Sequence, residues 1–130
     1  MSEPFTTRSL QRLSKVHPDL QKVMKEAVVD SPVPFQISQG LRTYAEQQEL
    51  YAQGRTKPGA IVTWTMNSRH LTGNAVDVAV IIGGKYITAT YLYDQLAAHI
   101  LKVAARLGVK LVWGGTWPGR KKDRPHFERA

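Results

Sequence analysis

The stretch Ala75-Val76-Asp77-Val78-Ala79-Val80-Ile81-Ile82 constrains this chain more than any other. Its length and its Val and Ile content specify a buried strand. Period-two alternation puts Val76, Val78 and Val80 on one face and Ala75, Asp77 and Ala79 on the other. An acidic side chain among small neighbours on a central strand is costly unless it is paired or bound to a metal. Asp77 therefore needs company. Ser68-Arg69-His70-Leu71-Thr72-Gly73-Asn74, just upstream, offers an imidazole, and Asp123-Arg124-Pro125-His126 near the end offers a second imidazole and a second carboxylate.

The remaining patterns surround this strand with helices and further strands. After Pro18, the residues Leu20, Val23, Met24, Ala27 and Val28 recur at one-face spacing, and Ser31-Pro32 stops the helix. His17 just before it reads as a capping or packing residue. Phe35 to Ser38 forms a short strand leading into Gly40-Leu41-Arg42. Thr43 with Glu46 is a capping-box signature, opening a helix that runs to a Gly54 stop. Arg42 thus sits where a strand exit meets a helix start, a common place for functional side chains.

Residues 55–67 read as a loop with a Pro58-Gly59 turn, packed down by Trp64. Gly83-Gly84 turns the central strand into a hairpin with Lys85-Tyr86-Ile87. The longest helix is capped by Thr90 or a neighbour and runs to about Leu107, with Gly108 as terminator. Leu92, Leu96, Ile100, Val103, Ala104 and Leu107 make its core face, and His99 on it has no partner at ligand spacing. Val109 to Trp113 and the region around His126-Phe127-Glu128 complete the strands. The order predicts one α+β domain over 1–130, a small mostly antiparallel sheet flanked by helices.

Composition narrows the partners. With 130 residues the chain can build one core, and no apolar run approaches the ~20 residues of a membrane span. The N-terminal residues lack a basic leader with an apolar core, so a cytoplasmic location is expected. The absence of cysteine excludes disulfides and thiolate metal sites. A net charge of +8 points to an anionic partner: nucleic acid, a membrane surface or a cell wall. The local cluster Arg120-Lys121-Lys122 reads as a binding patch or as a solvated face. No nucleic-acid recognition motif accompanies the charge.

The chemistry open to these residues is metal-assisted hydrolysis. A hydrolytic zinc takes three protein ligands and keeps one position for water, and His70, Asp77 and His126 can supply the three. Asp123, three residues before His126 and stiffened by Pro125, can face the same cavity as a general base. Gly73 and Ala75 would let the backbone pass close to metal and substrate. Arg42 is the cation best placed to meet a developing oxyanion. Spacing alone leaves ordinary packing histidines open as well. The chain lacks a His-Glu-x-x-His helix, and Ser68 as a nucleophile lacks an oxyanion-hole motif.

The motif carries further. Ser68-x-His70-x-x-Gly73-x-Ala75-x-Asp77 resembles, position by position, the zinc motif of the D-alanyl-D-alanine metallopeptidases. That group includes vancomycin-resistance dipeptidases and the L-alanyl-D-glutamate peptidases of bacteriophage endolysins. Trp113-Gly114-Gly115-x-Trp117, Asp123-x-Pro125-His126-Phe127, Val16-His17-Pro18 and Gly40-Leu41-Arg42-Thr43 are similar to the endolysin branch in particular. So are Gln47, Leu50-Tyr51 and Gly54-Arg55.

The resemblance implies a hedgehog/D-Ala-D-Ala-peptidase-like fold with one zinc per chain on His70, Asp77 and His126. It further implies Asp123 as catalytic base, Arg42 as the arginine that polarises the scissile carbonyl, and Ser68 as a substrate contact. Trp113 and Trp117 would wall the cleft or pack in the core. Thr116 departs from the family, which often carries Asp there. The implied activity is hydrolysis of the L-Ala–D-Glu bond of peptidoglycan by a monomer, without nucleic acid or membrane insertion. Release from the host cytoplasm would lead to wall lysis, with anionic wall polymers as a further partner. Two other readings are a D-Ala-D-Ala carboxypeptidase or dipeptidase, and a zinc-stabilised wall-binding module without catalysis.

Overall fold

Strand β2 (Ala75–Ile82) has partners along both of its edges. In the computed structural model, which describes residues 4–63 and 68–130, β1 (Phe35–Gln39) runs antiparallel along one edge. The other edge is shared by β5 (His126–Arg129), opposite residues 75–77, and β3 (Lys85–Ile87), opposite residues 80–82. β4 (Leu111–Trp113) pairs with the outer side of β5, giving the order β1-β2-β5-β4. All the strand pairings of this sheet are antiparallel, as the element order predicts. Trp64 falls outside the described residues.

The helices cover one face. α1 (Thr7–Leu13), α2 (Pro18–Val29) and α4 (Thr90–Arg106) contribute Leu13, Leu20, Val23, Met24, Leu96, Ile100 and Val103 to a core shared with Val76, Val78 and Val80 of β2 and Phe127 of β5. Each such aliphatic side chain contributes roughly 1.5–3 kcal/mol by leaving water. His99 bonds the carbonyl of Ala27 at 2.9 Å and so ties α4 to α2, a packing role. The Tyr93 hydroxyl donates to the Ile87 carbonyl and accepts from the Val80 amide, pinning α4 to β2 and β3.

Several local signals appear where expected. Thr43 and Glu46 form the reciprocal capping box of α3 (Tyr44–Ala52). His17 is the N-cap of α2, its Nδ1 accepting the Asp19 amide at 3.0 Å. Gly83 and Gly84 both take positive φ in the β2–β3 turn, the conformation of a tight hairpin.

Three local details go beyond the sequence pattern. The cap of α4 is the neighbour of Thr90, Ala89, which makes no side-chain cap hydrogen bond. Residues before Pro18 also form a helix, α1, whose short run carries no long apolar stripe. Finally, Arg69–Thr72 is a 3-10 turn, so Ser68 and His70 are not neighbours on one strand face.

Candidate functional site

The β2–β5 register builds the site. Asp77 pairs directly with His126, and Ala75 pairs with Glu128. Alternation places these four side chains on the face opposite Val76 and Phe127. His70 arrives from the 3-10 turn. The Ser68 hydroxyl caps that turn by accepting the His70 amide at 3.2 Å, and Gly73, at φ +72°, ends it. A side chain at Gly73 would also sit 3.2 Å from the Lys15 carbonyl oxygen. This glycine therefore serves the turn and its packing on the α1–α2 junction, rather than an approach of backbone to metal.

The outer partners fix which way the imidazoles offer their lone pairs. His70 Nδ1 lies 2.8 Å from the Gly40 carbonyl, which can only accept, so Nδ1 carries a proton and Nε2 turns inward. His126 Nε2 lies 2.8 Å from the Glu128 carboxylate, so its Nδ1 turns inward in the same way. Both inward nitrogens meet Asp77 Oδ1, at 3.3 Å and 3.1 Å. Three lone pairs facing one another repel unless a cation lies between them. A proton can satisfy a pair; a metal can satisfy all three.

The spacing suits a metal. The three donor atoms lie within 4.8 Å of one another. Two ligands each ~2.1 Å from a tetrahedral ion are themselves ~3.4 Å apart, close to both of these separations. The electrostatics agree. Burial works against the Asp77 carboxylate, but hydrogen bonds and charge from His126 and His70 overcome it and hold Asp77 below the ordinary carboxylate range. Burial also disfavours the His126 cation, yet Asp77 and Glu128 raise its pKa above the usual value. Both shifts mark a centre that favours positive charge.

This centre lies in a cleft of about 770 Å³, whose lining includes Arg42, Ser68, Arg69, Trp117, Lys121, Lys122, Asp123 and Glu128. The Arg42 guanidinium is buried and held by two amides, Nη1 donating to Gln47 and Nη2 to Gln39, both at 2.6 Å. Its Nε is buried and, among the described residues, has no hydrogen-bond partner. Burial lowers the Arg42 pKa, while Asp77, Glu46 and Asp123 oppose that shift; a guanidinium stays charged regardless. Asp123 is raised, first by burial and then by the charge of Asp77. Its carbonyl presses on Gly114, where a Cβ would come within 2.2 Å. Only glycine leaves that space.

The two tryptophans separate. Trp117 lines the cleft, its ring 5.0 Å from that of His126. Trp113 does not line it; the ring packs against the core and the indole N–H donates to the Arg124 carbonyl at 2.7 Å. It supports the Asp123–His126 segment from beneath. Thr116 turns its hydroxyl to the Trp113 carbonyl at 2.8 Å.

Sequence reasoning overlooked Glu128, and its signal was available. A residue two beyond His126 on the same strand must share its face. Gln47 stood among the residues of the family resemblance, but its clamping role and that of Gln39 could not be read there, because they depend on β1 and α3 converging around Arg42.

Comparison with known proteins gives one consistent answer. The sequence model of the family described as Phage L-alanyl-D-glutamate peptidase matches residues 1–129. The peptidoglycan L-alanyl-D-glutamate endopeptidase CwlK of Bacillus subtilis is 35% identical over 126 residues, covering 88% of this chain and 74% of that protein. The L-alanyl-D-glutamate peptidase of Escherichia phage T5 is 33% identical over 118 residues, 90% of this chain and 83% of its own length. The crystal structure of the Serratia marcescens L-Ala D-Glu endopeptidase ChiX matches with a TM-score of 0.85 and 38% identity, over 100% of this chain and 90% of that one.

Proposed function

This chain belongs to the phage L-alanyl-D-glutamate peptidase family, and on that premise we propose how its cleft performs the reaction. The protein is a peptidoglycan endopeptidase that hydrolyses the L-Ala–D-Glu bond. The observation that carries our reading is the convergence of three possible ligand atoms, from His70, Asp77 and His126, in a cleft that also holds Asp123 and Arg42.

Two imidazoles and one carboxylate, in a chain without cysteine, fit zinc. Bound there, zinc would supply Lewis acidity, acidifying water and polarising a carbonyl. The other steps fall to side chains. Asp123, its pKa raised by burial, takes the proton from the attacking water and passes it to the departing amine of D-Glu. Arg42, fixed by Gln39 and Gln47, keeps a positive charge close to the oxyanion that forms at the scissile carbonyl. Gly40 and Glu128 hold the two ligand imidazoles in the tautomers that face inward. Trp117 walls the cleft beside His126, and Ser68 sits at its rim where it can also meet substrate.

We read the whole chain as one catalytic domain acting as a monomer, held in the host cytoplasm until release to the wall. Among the described residues no helix is long and apolar enough to cross a membrane. The net charge of +8 would draw the protein to anionic wall polymers.

Mass spectrometry of digested wall, with metal analysis of the purified protein, tests the reading. We expect stem peptides that begin with D-Glu, about one zinc per chain, and activity lost to a chelator and restored by zinc. Release of free D-Ala would instead make the protein a carboxypeptidase.

A further inference from the structure

The cations of the cleft differ in how they are engaged. Arg42 is clamped by Gln39 and Gln47, and Arg69 leans on Glu128 with Nε 3.6 Å from its carboxylate. Lys121 and Lys122 line the same cleft and are exposed. Among the described residues neither has an ion-pair partner. These two charges are committed to nothing inside the protein.

Their backbone is nonetheless fixed. The Gly114 carbonyl accepts the amides of both Trp117 (3.2 Å) and Asp123 (2.9 Å). The Lys121 amide donates to Pro118 and the Lys122 amide to Gly119, so residues 114–123 close on themselves through two 3-10 turns. The lysines therefore stand on a braced ledge immediately before Asp123.

The substrate carries the complementary charge. Asp123 passes its proton to the departing amine, so the leaving residue, D-Glu, lies on the Asp123 side of the cleft. Glutamate has two carboxyl groups and only one continues the chain. The other is free, a few bonds from the leaving nitrogen, and is a carboxylate unless the wall amidates it.

Resting on the L-Ala–D-Glu reading above, we infer that Lys121 and Lys122 form the subsite for the free carboxylate of the leaving glutamate. The enzyme then discriminates between walls whose glutamate is a free acid and walls whose glutamate is a carboxamide. The neutral amide can accept a hydrogen bond from an ammonium, but it forfeits the ion pair.

The test uses two synthetic peptides, N-acyl-L-Ala–D-Glu–L-Lys and its counterpart bearing a carboxamide in place of the free carboxylate. The parent protein should prefer the acid by roughly five- to tenfold in kcat/KM, the scale of two partly solvated ion pairs. The preference should reside mainly in KM and shrink with added salt. The double variant Lys121→Gln/Lys122→Gln should bring the acid-to-amide ratio close to one, Lys121→Glu/Lys122→Glu should invert it, and Lys121→Arg/Lys122→Arg should retain it. A ratio unchanged in the Gln variant, or a parent that cuts both peptides equally, overturns the subsite and leaves the peptidase reading standing. A parent that cuts neither peptide at this bond overturns both.

Discussion

On one face of the paired strands β2 and β5, Val76, Val78, Val80 and Phe127 lie buried against the helices; on the other, Asp77, His126 and Glu128 line a cleft. The two sets alternate residue by residue. Phe127 stands between two site residues in sequence yet belongs wholly to the core. Burying the first face releases apolar surface from water and stabilises the fold. Burying the second face removes two carboxylates and an imidazole from water, and is tolerable only because each has a partner of opposite character. A slip of one residue between β2 and β5 would exchange the faces, driving Asp77 into the core and Val76 into the cleft. The register that fixes stability therefore also fixes the site.

Substitutions should separate the two faces. Asp123→Asn, which keeps shape and removes the base we propose, should lower kcat by ~10²–10⁴ while metal content and Tm hold; steady-state kinetics with thermal melts will tell, and a coincident loss of stability would argue that Asp123 is structural. Phe127→Ala is the opposite extreme. It should lower stability by about 3–5 kcal/mol in urea unfolding, with the folded fraction still binding metal. Loss of metal without loss of stability would break the division of faces.

Glu128→Gln sharpens the comparison from within the cleft. The amide can still reach His126 but no longer anchors its N–H with a charge, so metal should bind ~10–100-fold more weakly in chelator competition. Unaltered affinity would reduce Glu128 to a partner of Arg69 alone. The smallest effect belongs to neither face. Thr43→Ala removes the cap of α3 and should cost about 0.5–2 kcal/mol. Hydrogen bonds from Thr43 lower the Glu46 pKa. That contribution is present above the ordinary glutamate pKa and lost as pH falls through the folded value; because the variant keeps the Thr43 backbone bond, only the smaller hydroxyl part of its deficit should narrow in acid unfolding curves.

Much of this was legible in the chain. Ala75–Ile82 declared its strand and its faces, Thr43 and Glu46 declared a helix start, and the family motif linked His70, Asp77 and His126 across 56 positions of sequence. Such features are local or carried by a long spaced pattern. What stayed hidden depends on contacts between distant segments. The clamp on Arg42 requires β1 and α3 to meet, and the displacement of Trp113 from the cleft requires its indole to find the Arg124 carbonyl. The free lysines stand out only once the other cations have found partners.

One consequence lies in two amide protons far from any reacting atom. The Arg42 amide donates to the His70 carbonyl and the His17 amide to the Gly73 carbonyl, both at 2.8 Å. Together they bracket the turn that presents His70, one from the strand exit and one from the start of α2. Solvent exchange of either proton requires that turn to open. A cation that stiffens the turn should slow both amides together, which makes His17 and Arg42 spectroscopic reporters of ligand occupancy that need neither substrate nor turnover.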